Sequence, residues 1–163
     1  MTISAGDTLP GATLLRLGDE GPEPVSLSDK LAGRKVVIFG LPGAFTRTCS
    51  AAHLPSFIRT KPQFDAKGVD EIICIAVNDP FVMNAWGQST GADEAGITLL
   101  GDALGEFTNA IGMNFDAPVA GFINRSKRYA MLVEDGKVTV FNPEMSRTMC
   151  ETSAGEYLLD SMG

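Results

Sequence analysis

The sequence predicts an α/β protein with a mixed central sheet flanked by helices. Two apolar and partly β-branched runs, at residues 36–39 and 71–77, are typical of parallel strands covered on both faces. A segment with helical periodicity lies between them, and a crossover of this kind is what two parallel strands require. Further along, Asp135-Gly136 separates two strand-like segments and is a strong signal for an antiparallel hairpin. A sheet that contains both kinds of pairing is mixed.

The first half of the chain predicts further elements around these strands. In order, we expect a short strand at residues 13–17, a turn at residues 18–24, and a turn at residues 25–31. A helix is expected from Cys49 to about Lys67, because apolar residues recur there at a helical spacing. Within it, Pro55 predicts an irregular first turn and Pro62 predicts a break.

The second half begins with a clear helix start, in which Asp79 is the N-cap and Pro80 the first helical residue. The elements expected after that helix are a strand at residues 97–100, a helix at 106–111, and hairpin strands at 128–134 and 137–141. A final helix starts at Ser153, which has capping-box spacing with Glu156. A parallel crossover, followed by a hairpin and a closing helix, predicts a thioredoxin-like fold.

Composition narrows the class of protein. A chain of 163 residues is expected to form one domain, spanning residues 1–163. The net charge of −7 disfavours binding to nucleic acid and to anionic membrane surfaces. Residues 1–6 lack the basic and apolar regions of a secretory signal, and no apolar run approaches the roughly 20 residues that span a bilayer. We therefore expect a cytoplasmic protein.

The cysteine pattern disfavours a disulfide scaffold. The chain has three cysteines, Cys49, Cys74 and Cys150, with no Cys-x-x-Cys pair, so at least one thiol is free or intermolecular. A single histidine makes a structural zinc site improbable. No glycine-rich phosphate loop is present. Neither a metal nor a cofactor is expected.

Cys49 is the candidate nucleophile because of its position. A buried strand at residues 36–39 is interrupted by Pro42-Gly43, and helical spacing starts near Ser50. Cys49 is therefore expected at or just inside a helix N-terminus, where free N–H groups and the helix dipole stabilise a thiolate. A cysteine in this position is suited to redox chemistry.

The same stretch resembles the type II (atypical two-cysteine) peroxiredoxins. The resemblance covers nearly the whole chain, and four segments carry it: Pro42-Gly43-Ala44-Phe45-Thr46-Arg47-Thr48-Cys49-Ser50, His53-Leu54-Pro55, Val77-Asn78-Asp79-Pro80-Phe81-Val82 and Lys127-Arg128-Tyr129-Ala130-Met131. It implies a thiol peroxidase without metal or flavin that reduces hydrogen peroxide and small alkyl hydroperoxides. It also implies a homodimer that forms around the active-site loop. Two positions depart from the family pattern, Arg47 in place of Pro and Ser56 in place of Gly.

A peroxidatic site needs a thiolate, a hydroxyl to hold the peroxide, backbone N–H groups and a cation. Beside Cys49, Thr46 supplies the hydroxyl, Thr48 and Cys49 the N–H groups, and Pro42 an apolar wall. Gly43, Phe45 and Thr48 are expected in the substrate pocket. The candidate cations are Arg47, Arg125, Lys127 and Arg128. The resemblance assigns the role to Arg128, with Arg125 as the second choice, whereas Arg47 is expected to point into solvent.

Regeneration of the oxidised cysteine leaves three alternatives open. Cys74 lies 25 residues after Cys49, a separation that occurs in plant-like members of the family, although a small core residue is an equally good interpretation. Cys150 precedes the last helix, close to where animal members place their resolving cysteine. The third alternative is direct attack by an external thiol. The reductants that the resemblance implies are glutathione or glutaredoxin, and thioredoxin.

His53 falls on the same helix face as Cys49, four residues later. It is a candidate to tune the thiol or to start a metal site, but a histidine that forms a local hydrogen bond or packs at an interface is favoured. Two other functions compete with a peroxidase. A thioredoxin-like disulfide reductase is disfavoured by Thr46 in the place of an earlier cysteine, and a redox sensor would pass oxidation from Cys49 to a partner protein.

Overall fold

The computed structural model describes residues 2–146 and 148–163. The strands of these ranges are β1 (Thr13–Gly18), β2 (Gly21–Ser26), β3 (Lys35–Gly40), β4 (Glu71–Ala76), β5 (Thr98–Gly101), β6 (Asn114–Ala117), β7 (Phe122–Ser126), β8 (Tyr129–Glu134) and β9 (Lys137–Pro143). The α-helices are α1 (Leu27–Leu31), α2 (Leu54–Ala66), α3 (Pro80–Thr90), α4 (Glu106–Ala110) and α5 (Gly155–Ser161). A π-helix at Cys49–His53 leads into α2, and a 3₁₀ turn occupies Pro118–Ala120.

Seven strands form a mixed sheet in the order β2-β1-β5-β4-β3-β8-β9. At its centre β3, β4 and β5 run parallel, while β8 pairs antiparallel with β3 on the other side. In this register Phe39 lies between Cys74 on β4 and Ala130 on β8. The predicted mixed sheet flanked by helices is confirmed.

Helices cover both faces of the sheet, since its central strands are apolar on both sides. One core contains Cys49 and Cys74 and packs against α2, α3 and α5, with Phe57, Trp86 and Leu158 fully buried. The opposite core packs against α1 and α4. Cys49 therefore belongs to the layer that lies between the sheet and α2. Within the described ranges, no helix is long and apolar enough to cross a membrane.

Two local predictions are confirmed in detail. Asp135 and Gly136 adopt φ values of 50° and 78°, as a type I′ hairpin turn between β8 and β9 requires. The Asp79 side chain accepts a hydrogen bond from the Val82 N–H at 2.9 Å and so caps α3.

Two strand regions were not predicted correctly. The turn expected at residues 18–24 is wrong, because Gly21–Ser26 forms β2. This strand contains Pro22 and Pro24. The two prolines are tolerated because β2 lies at the edge of the sheet. The two-stranded ribbon of β6 and β7 was not predicted at all.

Two helix predictions are also wrong. Pro62 does not break α2 but lies inside it, on the exposed face, where water can hydrate the carbonyl that loses its partner. Ser153 does not cap α5, whose N-cap is Ala154 and has no side-chain hydrogen bond. Instead, the hydroxyl of Ser56 accepts the hydrogen bond from the Gly155 N–H at 3.0 Å.

Candidate active site

The loop at residues 41–48 follows β3 and is held from two directions. The Ala44 N–H donates to Asn78 Oδ1 at 2.9 Å, and Arg125 Nη1 donates to the Pro42 carbonyl at 3.0 Å. There is no room for a side chain at Gly43, because a Cβ would lie 2.4 Å from Arg125 Nη1. Asn78, which follows β4, and Arg125, which lies on β7, therefore hold the loop in place.

Cys49 starts the π-helix and is completely buried. Arg128 Nη2 donates to Cys49 Sγ at 3.3 Å, and the arginine is 2% exposed. Arg128 lies one residue before β8. Because side chains alternate along an extended chain, it is on the same face as Ala130 and Leu132, which belong to the core that contains Cys49. A buried guanidinium beside sulfur stabilises the thiolate over the thiol.

Thr46 lies one turn before Cys49 with its hydrogen-bond donor already used. Its Oγ1 donates to the Gly43 carbonyl at 2.7 Å, so the oxygen lone pairs remain as acceptors. The Thr46 carbonyl accepts from the Ser50 N–H at 3.0 Å, which joins the loop to the π-helix. The Ser50 side chain is held as well, because its hydroxyl accepts a hydrogen bond from Trp86 Nε1 at 2.9 Å.

A cavity of about 630 Å³ opens beside these groups. The described residues that line it are Pro42, Thr46, Arg47, Thr48, Ala51, Ala52, Ala120, Phe122, Arg128, Thr148 and Cys150. Its walls thus combine an apolar surface with one buried guanidinium and the Thr46 hydroxyl. An arrangement of this kind binds a small molecule that has one polar and one apolar end.

The cavity contains some of the predicted pocket residues but not others. Pro42 and Thr48 line it, and Thr48 Oγ1 donates to the Thr148 carbonyl at 3.2 Å. Gly43 and Phe45 are absent from the described part of its lining, and the Phe45 side chain is 57% exposed. Phe45 also has a φ of 64°, so the loop turns its ring away from the cavity. Arg47 is exposed at the cavity rim.

His53 was not predicted to contact the arginine. Its Nδ1 lies 3.0 Å from Arg128 Nη1, and its Nε2 lies 3.0 Å from the Ser153 carbonyl. Burial of the ring, followed by the Arg128 charge, holds the pKa of His53 well below its usual range. Asn78 and Arg125 were also missed as loop contacts. Nothing in the local sequence distinguishes any of these three contacts.

The other two cysteines occupy different environments. Cys74 is fully buried in the central strand β4, and burial raises the pKa of its thiol well above the usual value. Cys150 is partly exposed, lines the cavity and lies in the irregular segment between β9 and α5. Burial also raises the pKa of the Cys150 thiol.

Metal ligands do not converge in the described ranges, where no group of three or more His, Cys, Asp or Glu side chains is placed to hold an ion.

A buried cysteine at a helix start, paired with a buried arginine beside a cavity, defines a thiol-based redox enzyme of the thioredoxin-like class. The sequence model of the Redoxin family matches residues 4–159. Peroxiredoxin-2B of Arabidopsis thaliana is 41% identical over 157 residues, which cover 96% of each protein. The chain belongs to the peroxiredoxins, and within them to type II.

Further relatives support the same family. Peroxiredoxin-2E-2, chloroplastic, of Oryza sativa subsp. japonica is 45% identical over 161 residues, which cover 96% of this chain and 72% of that protein. The crystal structure of reduced Prx3 from Vibrio vulnificus in complex with H2O2 has a TM-score of 0.91 and 44% identity, and the match covers 99% of this chain and 100% of that one. The protein is a thiol-dependent peroxidase with an antioxidant function.

Proposed function

We propose that Cys49 is the peroxidatic cysteine and that Arg128, Thr46 and Pro42 form its site. The observation that carries this proposal is the 3.3 Å contact between Arg128 Nη2 and Cys49 Sγ, in which Arg128 also lines the cavity while Cys49 is buried behind it. A buried cation at this distance stabilises the attacking thiolate, and it also offsets the charge that develops on the leaving oxygen.

In the proposed reaction the Cys49 thiolate attacks the terminal oxygen of a hydroperoxide. An S–O bond forms while the O–O bond breaks, and the sulfur is oxidised to a sulfenate. The peroxide is reduced to water or an alcohol, because its proton moves from the attacked oxygen to the leaving oxygen. Hydrogen peroxide and small alkyl hydroperoxides both suit a cavity with an apolar wall.

Thr46 orients the peroxide in this scheme. Since its own hydrogen is donated to the Gly43 carbonyl, Oγ1 accepts the hydrogen bond from the peroxide O–H. The N–H groups of Thr48 and Cys49 support the negative charge at the start of the helix. Pro42 keeps water from the thiolate, and Gly43 gives Arg125 room to hold the loop.

We propose Cys150 rather than Cys74 as the resolving cysteine. Cys150 lines the cavity and belongs to an irregular segment, so its thiol can approach Cys49 without disrupting the sheet. Cys74 is enclosed in β4 between β3 and β5. Attack of Cys150 on the sulfenic acid forms a disulfide and releases water. The thiol that then reduces this disulfide is proposed to be glutathione with glutaredoxin, and thioredoxin is the alternative.

Mass spectrometry after one equivalent of hydrogen peroxide tests the resolving step. The wild type and Cys74→Ser are expected to form a Cys49–Cys150 disulfide, whereas Cys150→Ser is expected to retain a sulfenic acid at Cys49. A disulfide that persists in Cys150→Ser and disappears in Cys74→Ser would assign the step to Cys74. Sulfenic acid in all three proteins would assign it to an external thiol. Turnover with glutathione and glutaredoxin is then compared with turnover with thioredoxin and its reductase.

We also propose a homodimer that forms through the face around the active-site loop. Phe45, Phe81 and Leu104 are exposed there at 57%, 59% and 78%. The segments that carry them adjoin: the Ala44 N–H donates to Asn78 Oδ1, and Gly105 lies against Asn124, whose neighbour Arg125 donates to the Pro42 carbonyl. Sedimentation equilibrium is expected to show a dimer for the wild type and a monomer for Leu104→Glu. A monomeric wild type would remove this part of the proposal.

The protein is proposed to act in the cytoplasm, as its sequence suggested. Fractionation of cells that produce the untagged protein, followed by immunoblotting, is expected to recover it with cytoplasmic markers. Recovery with an organelle, as the name of the rice relative records for that protein, would replace this proposal.

A further inference from the structure

His53 joins two parts of the site that are distant in sequence. On one side of the ring, Nδ1 lies 3.0 Å from Arg128 Nη1, and the two residues are 75 positions apart. On the other side, Nε2 lies 3.0 Å from the carbonyl of Ser153, 100 positions away. The guanidinium that His53 contacts also donates to Cys49 Sγ. Three consecutive hydrogen bonds therefore connect Cys49 to the segment that carries Cys150.

The two partners determine where the ring carries its proton. A carbonyl oxygen only accepts hydrogen bonds, so the bond to Ser153 requires a hydrogen on Nε2. A guanidinium only donates, so the bond to Arg128 requires a lone pair on Nδ1. Both bonds exist together only in the neutral tautomer with hydrogen on Nε2. Protonation would place a hydrogen on Nδ1, facing another donor, and would break the contact with Arg128.

The surroundings of the ring favour this neutral form. His53 is fully buried, and its ring packs against Phe39 from β3 and Phe57 from α2, with centroid distances of 5.0 and 5.7 Å. The charged group that contacts the ring is Arg128, directly before β8, and Cys49, from the same π-helix as His53, accepts from the other terminal nitrogen of that guanidinium. Behind the Ser153 carbonyl, the Glu144 carboxylate accepts from the Ser153 N–H. Burial and the arginine charge both oppose protonation.

The contact with His53 also limits where the guanidinium can go. A long arginine side chain has many rotamers, and hydrogen bonds from both of its terminal nitrogens to buried partners restrict them more than one such bond does. The ring of His53 fixes Nη1, and the aromatic contacts with Phe39 and Phe57 fix the ring. Two hydrogen bonds, to Cys49 Sγ and to His53 Nδ1, thus fix the plane of the Arg128 guanidinium.

We propose that His53 is a positioning residue for the peroxidase reaction: as the neutral tautomer with hydrogen on Nε2, it holds the Arg128 guanidinium against Cys49. The proposal rests on the proposed roles of Cys49 and Arg128. His53 is not among the described residues that line the cavity, and it acts through its contact with Arg128.

Nitrogen NMR reads the tautomer directly, because His53 is the single histidine of the chain. A two-bond ¹H–¹⁵N correlation spectrum of the reduced, untagged protein is expected to show the Nε2–H tautomer throughout pH 8 to 5.5. An Nδ1–H tautomer, or protonation of the ring near its ordinary pKa of about 6.5, would overturn the proposal.

Two substitutions separate positioning from packing. His53→Phe keeps the aromatic contacts but removes both nitrogens, and it is expected to slow Cys49 oxidation by hydrogen peroxide on the order of tenfold to a hundredfold. His53→Asn provides an acceptor oxygen at the position of Nδ1 and is expected to recover part of the rate. If His53→Phe fails to fold, the oxidation rate of His53→Asn and the NMR spectrum of the wild type still test the proposal.

Ser56→Ala is the matched control, because Ser56 Oγ accepts from Gly155 N–H and holds the same segment without contacting Arg128. It is expected to retain the wild-type rate. An equal loss in Ser56→Ala, or a wild-type rate in His53→Phe, would overturn the positioning role. Arg128→Met separates this failure from that of the proposed function. If Arg128→Met is slow and His53→Phe is fast, only the inference fails; if both are fast, the role of Arg128 itself is wrong.

Discussion

The two sides of the cavity differ in how their functional groups are held. On the sheet side, Cys74 lies in β4 and Arg128 directly precedes β8, and the pairing of these two strands with β3 determines their positions. On the loop side, the groups lie in the loop at residues 41–48 and in the segment at 148–154, whose described residues lie outside the strands of the sheet. Individual hydrogen bonds hold those segments instead.

The difference separates two requirements of a thiol peroxidase. The cation that stabilises the thiolate must stay in place through every cycle, and a sheet position provides this. The cysteine that resolves a sulfenic acid must move, since a disulfide requires Cα atoms within roughly 7 Å. The segment that carries Cys150 is held by the Glu144 carboxylate, which accepts hydrogen bonds from the N–H groups of Glu151 and Thr152 at 2.8 and 2.6 Å. A few such bonds can break without loss of the core.

The largest effect is expected from removal of the cation on the sheet side. Arg128→Met should lower the rate of Cys49 oxidation by hydrogen peroxide about 10²- to 10³-fold, as for other preorganised donors that stabilise developing charge. Stopped-flow fluorescence of Trp86, which is bonded to Ser50 next to Cys49, measures this rate. Arg59→Met removes an exposed charge far from the cavity and serves as the control. Equal rates for Arg128→Met and the wild type would contradict the role of Arg128.

A smaller loss is expected from the loop side, where the contacts position rather than react. Asn78→Ala removes the acceptor of the Ala44 N–H, and Arg125→Met removes the donor to the Pro42 carbonyl. Each variant should lose on the order of tenfold in the same rate, because a misplaced loop moves Thr46 away from the peroxide. Losses as large as that of Arg128→Met would show that the two sides do not differ as described.

The cysteines should differ in stability as well. Cys74→Ala leaves a cavity inside the sheet and is expected to lower the free energy of unfolding by about 1 to 2 kcal/mol. Cys150→Ala should change it by less than about 0.5 kcal/mol, because the side chain is partly exposed in an irregular segment. Urea denaturation of the reduced proteins provides both values. A greater loss for Cys150→Ala would reverse the comparison.

A pH dependence of stability is also expected from His53. Because burial lowers the pKa of His53 in the folded protein, the unfolded chain binds a proton that the folded protein does not. Stability should therefore decrease as the pH falls below about 6.5, by up to about 1.4 kcal/mol per pH unit, until the lowered pKa is reached. His53→Asn should lack this contribution. Parallel stability curves for the two proteins between pH 7 and pH 5 would contradict a neutral His53.

Local patterns predicted the parts of the fold that depend on neighbouring residues. The apolar runs identified β3 and β4, and the turn chemistry of Asp135-Gly136 identified the hairpin. Cys49 was expected at a helix start for the same reason, since Pro42-Gly43 and the helical spacing lie on either side of it. These features required no knowledge of the rest of the chain.

The features that were missed depend on contacts between distant residues. The cap of α5 comes from Ser56, 99 positions from Gly155, so the local Ser153 to Glu156 spacing was misleading. His53 meets Arg128 across 75 positions, and its local environment is compatible with any buried histidine. Tertiary packing also kept Pro62 inside a helix that propensity alone would end. Sequence reasoning therefore predicted the position of Cys49 at a helix start but only part of the contacts around it.

Trapping of the first oxidised sulfur tests the central claim most directly. Wild-type protein is treated with less than one equivalent of hydrogen peroxide in the presence of dimedone, which labels sulfenic acids, and the labelled peptides are mapped by mass spectrometry. If Cys49 is the peroxidatic cysteine, the label appears on Cys49 first and is abolished in Cys49→Ser. A label that appears first on Cys74 or Cys150, while Cys49 remains reduced, would contradict the account.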